Sequence, residues 1–338
     1  MKKKSNTILL ASVTIALSVL VTSIVVIGGD VYLHKRYEQV AGLNVWGYRG
    51  PPIGAKQTGE RRIVVLGGST AFGYGVPPDQ AFPAYLERAL NDQHHEQPIS
   101  IVNLAYNNEG ARSFRYTLDD YAYLDYDIVV LYTGYNDVDM QWNNTRVFRH
   151  ESPVFRLTGY LPIFPIIFQE KAMILRHDGD LEGAYLGKKT VFRPGIVDRT
   201  TAAALETAVR ISRSLQRQLD GLVGAVETSA IPTLYPEHWD YYTERIYEAV
   251  VHVLSLEKQI IVVTQPYLSE LHITQQRAIA HMLADYWLGS DPRLHYINLG
   301  QVGNLKDPLF AYDGMHLTAQ GNKKIADNLV RPILAILE

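Results

Sequence analysis

The chain has 338 residues, with 32 Lys and Arg against 35 Asp and Glu, a formal net charge of −3 and no cysteine. A balance this near neutral, with no basic stripe, argues against a nucleic-acid partner. The missing thiols exclude disulfides, a thiolate nucleophile and a thiolate metal site. At 47% hydrophobic and 20% charged, the composition is that of a globular protein with one large domain or two small ones.

Lys2, Lys3 and Lys4 precede an uncharged run over residues 7–27. About 20 apolar residues suffice to cross a bilayer as a helix. The lysines in front of the run and the Lys35-Arg36 pair behind it favour a single-pass anchor in the cytoplasmic membrane, with the N-terminus inside and the bulk of the chain outside. A cleaved signal peptide is the rival reading, but the run is longer than the usual apolar core of such peptides and Gly28-Gly29-Asp30 makes a poor cleavage site. A buried core helix fits less well, because nothing polar marks a second face. The expected division is a cytoplasmic tail over 1–6, a transmembrane anchor over 7–29, a linker over 30–60 broken at Gly50-Pro51-Pro52, and a domain over 61–338 with an insertion at about 140–200.

From Arg62 onward, short β-branched runs alternate with helical patterns. The runs fall at 62–66, 100–103, 127–132, 259–264 and 294–298, with helical periodicity at 82–90, 202–226 and 317–337. Continuous apolar strands separated by helices imply a parallel sheet covered on both faces. The expected fold class is α/β: a three-layer α/β/α, flavodoxin-like parallel sheet of about five strands, preceded by one N-terminal transmembrane helix. Ligands of such sheets bind outside the carboxyl ends of the strands.

The chemistry-bearing residues gather at those ends. Ser69 follows the first strand behind Gly67 and Gly68, which allow a sharp turn that brings the hydroxyl to the surface; the same string would also serve as a helix N-cap. The loop after the second strand contains Gly110, which offers an unobstructed backbone N–H or is a plain loop glycine. The third strand leads into Gly134-Tyr135-Asn136-Asp137, where the Asn136 amide either donates into a site or makes a local turn. Near the C-terminus, Asp313 lies three residues before His316. A carboxylate so placed can fix the imidazole in one tautomer and leave the other nitrogen to take a proton from a hydroxyl; the alternative is a turn leading into the last helix.

Taken in order, Ser69 in Gly-Gly-Ser-Thr, Gly110, Gly134-Tyr135-Asn136-Asp137 and Asp313-Gly314-Met315-His316 resemble the four sequence blocks of the SGNH hydrolases, also called the GDSL esterase/lipase family. The resemblance covers about residues 61–337. It implies Ser69 as nucleophile, His316 as general base and Asp313 as its orienting acid. The oxyanion hole would combine the N–H groups of Ser69 and Gly110 with the Asn136 amide, and no metal or cofactor is implied. The chain departs from the family in having Gly68 where Asp usually stands, and in a long interval between Asn103 and Gly110. Should Asn136 not donate, the Asn107-Asn108 loop is the next place to look. A nucleophile elbow of the α/β-hydrolase type does not fit, because position 71 is Ala and the serine follows the first strand. No Walker A loop, His-Glu-x-x-His or dinucleotide fingerprint is present.

The resemblance and the anchor together imply a serine esterase acting on O-acyl esters, O-acetyl first, of envelope or secreted polysaccharide. Alternatives are a polysaccharide O-acyltransferase using the same triad, a lysophospholipase, and a non-catalytic polysaccharide-assembly module. The apolar run 160–168 is too short and proline-broken to span a membrane; it reads as a cap, a lid or a membrane-docking patch. Of the tyrosines at 116, 121, 123, 126, 132 and 135, most read as packing, and Tyr135, beside Asn136, as the one placed to touch a sugar or acyl group. Arg146, Arg149 and His150 read as solvated loop. His94-His95 and Asp119-Asp120 lack the spacing of a metal site.

Overall fold

The computed structural model describes residues 2–41, 43–93, 97–138, 149–164, 239–286 and 290–337. The helical pattern at 202–226, most of the insertion, Arg146 and His94-His95 lie outside them. The chain divides into two compact units: Met1–Glu38 with Tyr160–Gly224, and Gln39–Gly159 with Ala225–Glu338.

In the first unit, helix α1 (Lys2–Ala41) contains an apolar stretch, Ser12–Arg36, long enough to cross a membrane. Its side chains from Val13 to Ile27 are open to the surroundings. Further along the helix Asp30 and His34 are buried. The Asp30 carboxylate accepts from the Tyr160 hydroxyl and from the backbone N–H groups of Phe164 at 2.6 Å and Ile163 at 3.4 Å. His34 Nε2 donates to the Leu161 carbonyl at 2.8 Å, and its ring meets Tyr160 edge-on. The described start of the apolar run 160–168 is thus fastened to α1 by polar contacts.

The second unit carries the sheet. Its strands are β1 (Arg61–Gly67), β2 (Ile99–Asn103), β3 (Ile128–Thr133), β4 (Gln259–Thr264) and β5 (Leu294–Asn298). All neighbours are parallel and the order is β2-β1-β3-β4-β5, the doubly wound order of flavodoxin-like sheets. β1, β3 and β4 are apolar at consecutive positions because both faces are covered: Ile63, Val64, Val65, Val129, Val130, Leu131 and Ile260 through Val263 have no exposed surface. Helix α3 (Phe82–Gln93) packs with the C-terminal α8 (Ala319–Leu337). Helix α4 (Ala111–Asp120) packs with α6 (Asp240–Ser255), beside which lies α7 (Glu270–Tyr286). Right-handed crossovers place these two groups on opposite faces, giving three layers. The remaining helices, α2 (Ser69–Phe72) and α5 (Pro153–Thr158), are short.

The chain winds one way from β1 to β2 and the other way from β2 past β1 to β3. The topological switch point, where open α/β sheets bind ligands, is therefore the crevice above β1 and β3.

Residues 43–53, expected within a plain connector, pack on this unit. Leu43 bridges Arg49, and Arg49 bridges Asn103 at the end of β2 in antiparallel fashion. Leu43, Asn44, Tyr48 and Arg49 are buried. The Arg49 guanidinium lies 4.1 Å above the Phe72 ring and donates to the carbonyls of Gly73 and Val76, bracing the turn that follows Ser69.

Candidate functional site

Ser69 opens α2 directly beyond β1 and is 8% exposed. Its Oγ stands 2.8 Å from Nε2 of His316. Nδ1 of His316 is 2.6 Å from Oδ2 of Asp313, so the three side chains form one continuous hydrogen-bonded row. The other Asp313 oxygen accepts from the backbone N–H groups of Met315 at 3.0 Å and His316 at 2.7 Å. The turn that makes this possible places Gly314 at a φ of +85°, a conformation open to glycine at little cost. Burial pulls the Asp313 carboxyl upward, but the His316 side chain and the two backbone N–H donors outweigh it and hold the group below the ordinary range. With the acid ionised at Nδ1, the imidazole carries its proton there and presents a bare Nε2 to the serine.

The residues expected to donate lie close to the backbone that precedes Ser69. Gly110 is the N-cap of α4, at the positive end of that helix. Among the described residues, neither the Ser69 nor the Gly110 N–H has a hydrogen-bond acceptor. Asn136 lies in the 3-10 turn after β3. One hydrogen of its amide goes to the Glu109 carbonyl, 2.6 Å away, and an amide has a second to give. A Cβ on Gly68 would overlap the Asn136 amide nitrogen, so this nitrogen lies against the backbone just before Ser69. Any side chain at position 68 would meet Asn136 in this arrangement.

Three sequence expectations need correction. Tyr135 does not face the site: its ring packs against His272 and its hydroxyl donates to the Pro266 carbonyl at 2.6 Å. A 3-10 turn separates consecutive side chains by about 120°, so Tyr135 and Asn136 point apart. Arg149 is no solvated loop residue but among the largest fully buried side chains. His150 is also engaged, with Nδ1 2.9 Å from an Asp120 oxygen.

Sequence reasoning also missed several participants. Tyr74 and Tyr312, about half exposed, flank His316, with ring centroids 4.9 Å and 6.0 Å from the imidazole. The Tyr312 hydroxyl donates to the Tyr74 carbonyl at 3.3 Å, tying the two walls together. Asp137 is buried beneath the donors, where both its oxygens accept from Ala111 N–H at 3.1 and 3.2 Å. Burial pushes its carboxyl up to about 7, the Ala111 bond opposing only in part. A cavity of about 600 Å³ lined by Trp46, Arg62, Tyr123 and Leu124 opens at the amino ends of the strands and includes none of these residues.

No family model matches the chain, and no curated protein matches it. Solved structures do. The chain is similar to a lipolytic protein of the G-D-S-L family from Desulfitobacterium hafniense, at 12% identity over 80% of this chain and 98% of the other, with a TM-score of 0.42. It is similar to a psychrotrophic esterase from Pseudoalteromonas sp., at 11% identity over 82% and 98%, TM-score 0.45. An acetylxylan esterase from Geobacillus stearothermophilus shows 15% identity over 81% and 94%, TM-score 0.43. The likeness is one of fold.

Proposed function

We propose that this protein is a serine ester hydrolase of the SGNH type, with Ser69 as nucleophile, His316 as base and Asp313 as the orienting acid. The observation that carries the reading is the unbroken row Ser69 Oγ–His316–Asp313 at the switch point of the sheet. In the reaction, His316 Nε2 takes the hydroxyl proton as Ser69 Oγ bonds to the ester carbonyl carbon, and the carbonyl π electrons move onto oxygen. The N–H groups of Ser69 and Gly110 and the free Asn136 hydrogen are the donors for that oxyanion. Collapse expels the alcohol, which leaves with the proton from His316. Water then enters by the same steps in reverse and releases the acid.

The substrate we propose is an O-acyl ester, O-acetyl first, on an envelope or secreted polysaccharide. Tyr74 and Tyr312 support it: two half-exposed aromatic rings beside the base suit the apolar face of a sugar ring. The α1 span, with three lysines before it, supports a single-pass anchor that holds residues 30–338 outside the cytoplasmic membrane.

The test is turnover of p-nitrophenyl acetate and of an O-acetylated oligosaccharide by the full chain in detergent micelles, with Ser69→Ala alongside. Loss of a triad nucleophile lowers kcat by roughly 10⁴ to 10⁶; a Ser69→Ala protein that still turns over removes the reading. Adding an unacetylated acceptor oligosaccharide separates hydrolase from transferase, because acetyl then appears on the acceptor rather than as free acetate.

A further inference from the structure

Arg149 and Glu109 form an ion pair shut away from solvent, at 1% and 5% side-chain exposure, with Arg149 Nη2 2.8 Å from Glu109 Oε2. The same Nη2 donates to the Leu104 carbonyl at 2.8 Å, and Nη1 donates to Gly47 at 3.1 Å. The Arg149 guanidinium also lies 5.7 Å from the Tyr106 ring centroid and 5.3 Å from that of Tyr121. One side chain therefore holds both ends of the loop from Leu104 to Glu109 and ties it to the segment at Gly47.

Stability alone does not account for this arrangement. Two charges removed from water recover their desolvation cost only with excellent geometry, and an apolar pair of similar volume often serves as well. The pair's products lie one peptide further on. The Glu109 carbonyl holds the Asn136 amide at 2.6 Å. The rigid, planar peptide that bears this carbonyl also bears the Gly110 N–H. Placing residue 109 thus sets two of the three donors offered for the oxyanion. A guanidinium suits the task because its planar fork addresses several acceptors in fixed directions, which a lysine ammonium does not.

We propose that Arg149 is a positioning residue for the oxyanion donors, acting through the Glu109 side chain and the loop it holds. The inference rests on the reading of Ser69, Gly110 and Asn136 given above. Arg149 touches no substrate; it fixes where Asn136 and Gly110 stand. Misplacement of reacting groups by about 1 Å costs on the order of 10²-fold in rate, so the effect falls on kcat and leaves KM nearly alone.

The experiment uses the full chain in detergent and p-nitrophenyl acetate. Arg149→Met combined with Glu109→Met leaves no lone buried charge; we expect a melting temperature near that of the parent, kcat lowered about 10- to 100-fold and KM changed by less than about twofold. Arg149→Lys keeps the charge but not the fork, and is expected to lose about 10-fold in kcat; it decides the matter if the double variant does not fold. An Asn136→Ala background supplies the readout that a merely structural role would not move. There the Arg149→Lys loss should shrink to a few-fold, because one of the donors it places is already gone. Parental kcat in a folded Arg149 variant, or losses that multiply in full with Asn136→Ala, would overturn the proposal. Ser69→Ala run in parallel keeps the two readings apart: its activity fails the site, whereas its inactivity beside fully active Arg149 variants fails this inference alone.

Discussion

The amide of Asn136 fills the space that a side chain on Gly68 would need: a Cβ there overlaps the amide nitrogen and lies 2.9 Å from the amide carbon and 3.0 Å from the Glu109 carbonyl oxygen. The residue before the serine and the donor after β3 are therefore one packing unit.

Gly68→Ala consequently acts on catalysis rather than on the serine itself. If Asn136 donates to the oxyanion as proposed, displacing it lowers kcat by about 10²–10³ with KM little changed. Steady-state kinetics on protein titrated for active sites, beside a melting curve, measures it. Parental kcat in Gly68→Ala would show that Asn136 is free to move and stabilises nothing in the transition state.

Asp313→Asn keeps the shape of the turn but offers the wrong partner to Nδ1. The imidazole then prefers the tautomer with its proton on Nε2, facing Ser69, and cannot act as a base. Loss of about 10⁴ in kcat is expected, with folding intact. A change of less than about 10-fold would mean that His316 is oriented by other contacts.

Asp137 gives the fold a pH dependence of definite sign. Its carboxyl is pushed up to about 7 from an ordinary value of 3.8, so between these limits the folded chain holds a proton that the unfolded chain has released. The stability this confers is complete below about pH 4 and is lost as pH rises through about 7, on the order of 4 kcal/mol at most. Asp137→Asn keeps an acceptor for Ala111 N–H without the titration. Its melting temperature should decline less than the parent's between pH 4 and 7, by several degrees. Parallel curves for the two proteins would assign the slope to other groups.

Tyr74 and Tyr312 should tell substrates apart. Replacing either by Ala is expected to raise KM for an acetylated oligosaccharide by roughly 5- to 10-fold, the loss of one aromatic contact of about 1 kcal/mol. The value for p-nitrophenyl acetate, which has no sugar to stack, should stay within about twofold. Equal losses on both esters would place the rings in support of His316 instead of the substrate.

Much of the architecture was legible because burial on both faces leaves its mark in the chain itself. The runs at 62–66, 127–132 and 259–264 are apolar at nearly every position, and the strands fall within a residue or so of them. Asp313 and His316 could be read together because three residues and a glycine turn bring them into contact, which is local geometry. Arg149 could not. Nothing in its immediate neighbours, Phe148 and His150, marks a buried guanidinium, and its burial depends on Gly47, Leu104 and Glu109, which are 40 or more residues away. Tyr74 and Tyr312 failed for the same reason, since they meet only across 238 residues of chain. Tyr135 misled because adjacency in sequence is not adjacency in space within a tight turn. Residues 43–53 misled because breakers such as Gly50-Pro51-Pro52 mark where a chain bends, not whether it packs.

The fastening of Tyr160, Ile163 and Phe164 to Asp30 has a practical consequence for anyone wishing to work without detergent. The usual remedy, deleting the apolar helix wholesale, would discard the acceptor for a hydroxyl and two backbone amides together. For the buried Ile163 N–H, losing its acceptor costs roughly 1–3 kcal/mol. Trimming that stops at Gly28 or Gly29 sheds the greasy segment and spares Asp30 and His34. Where the knife falls, by two or three residues, decides whether the loop beginning at Tyr160 keeps its mooring.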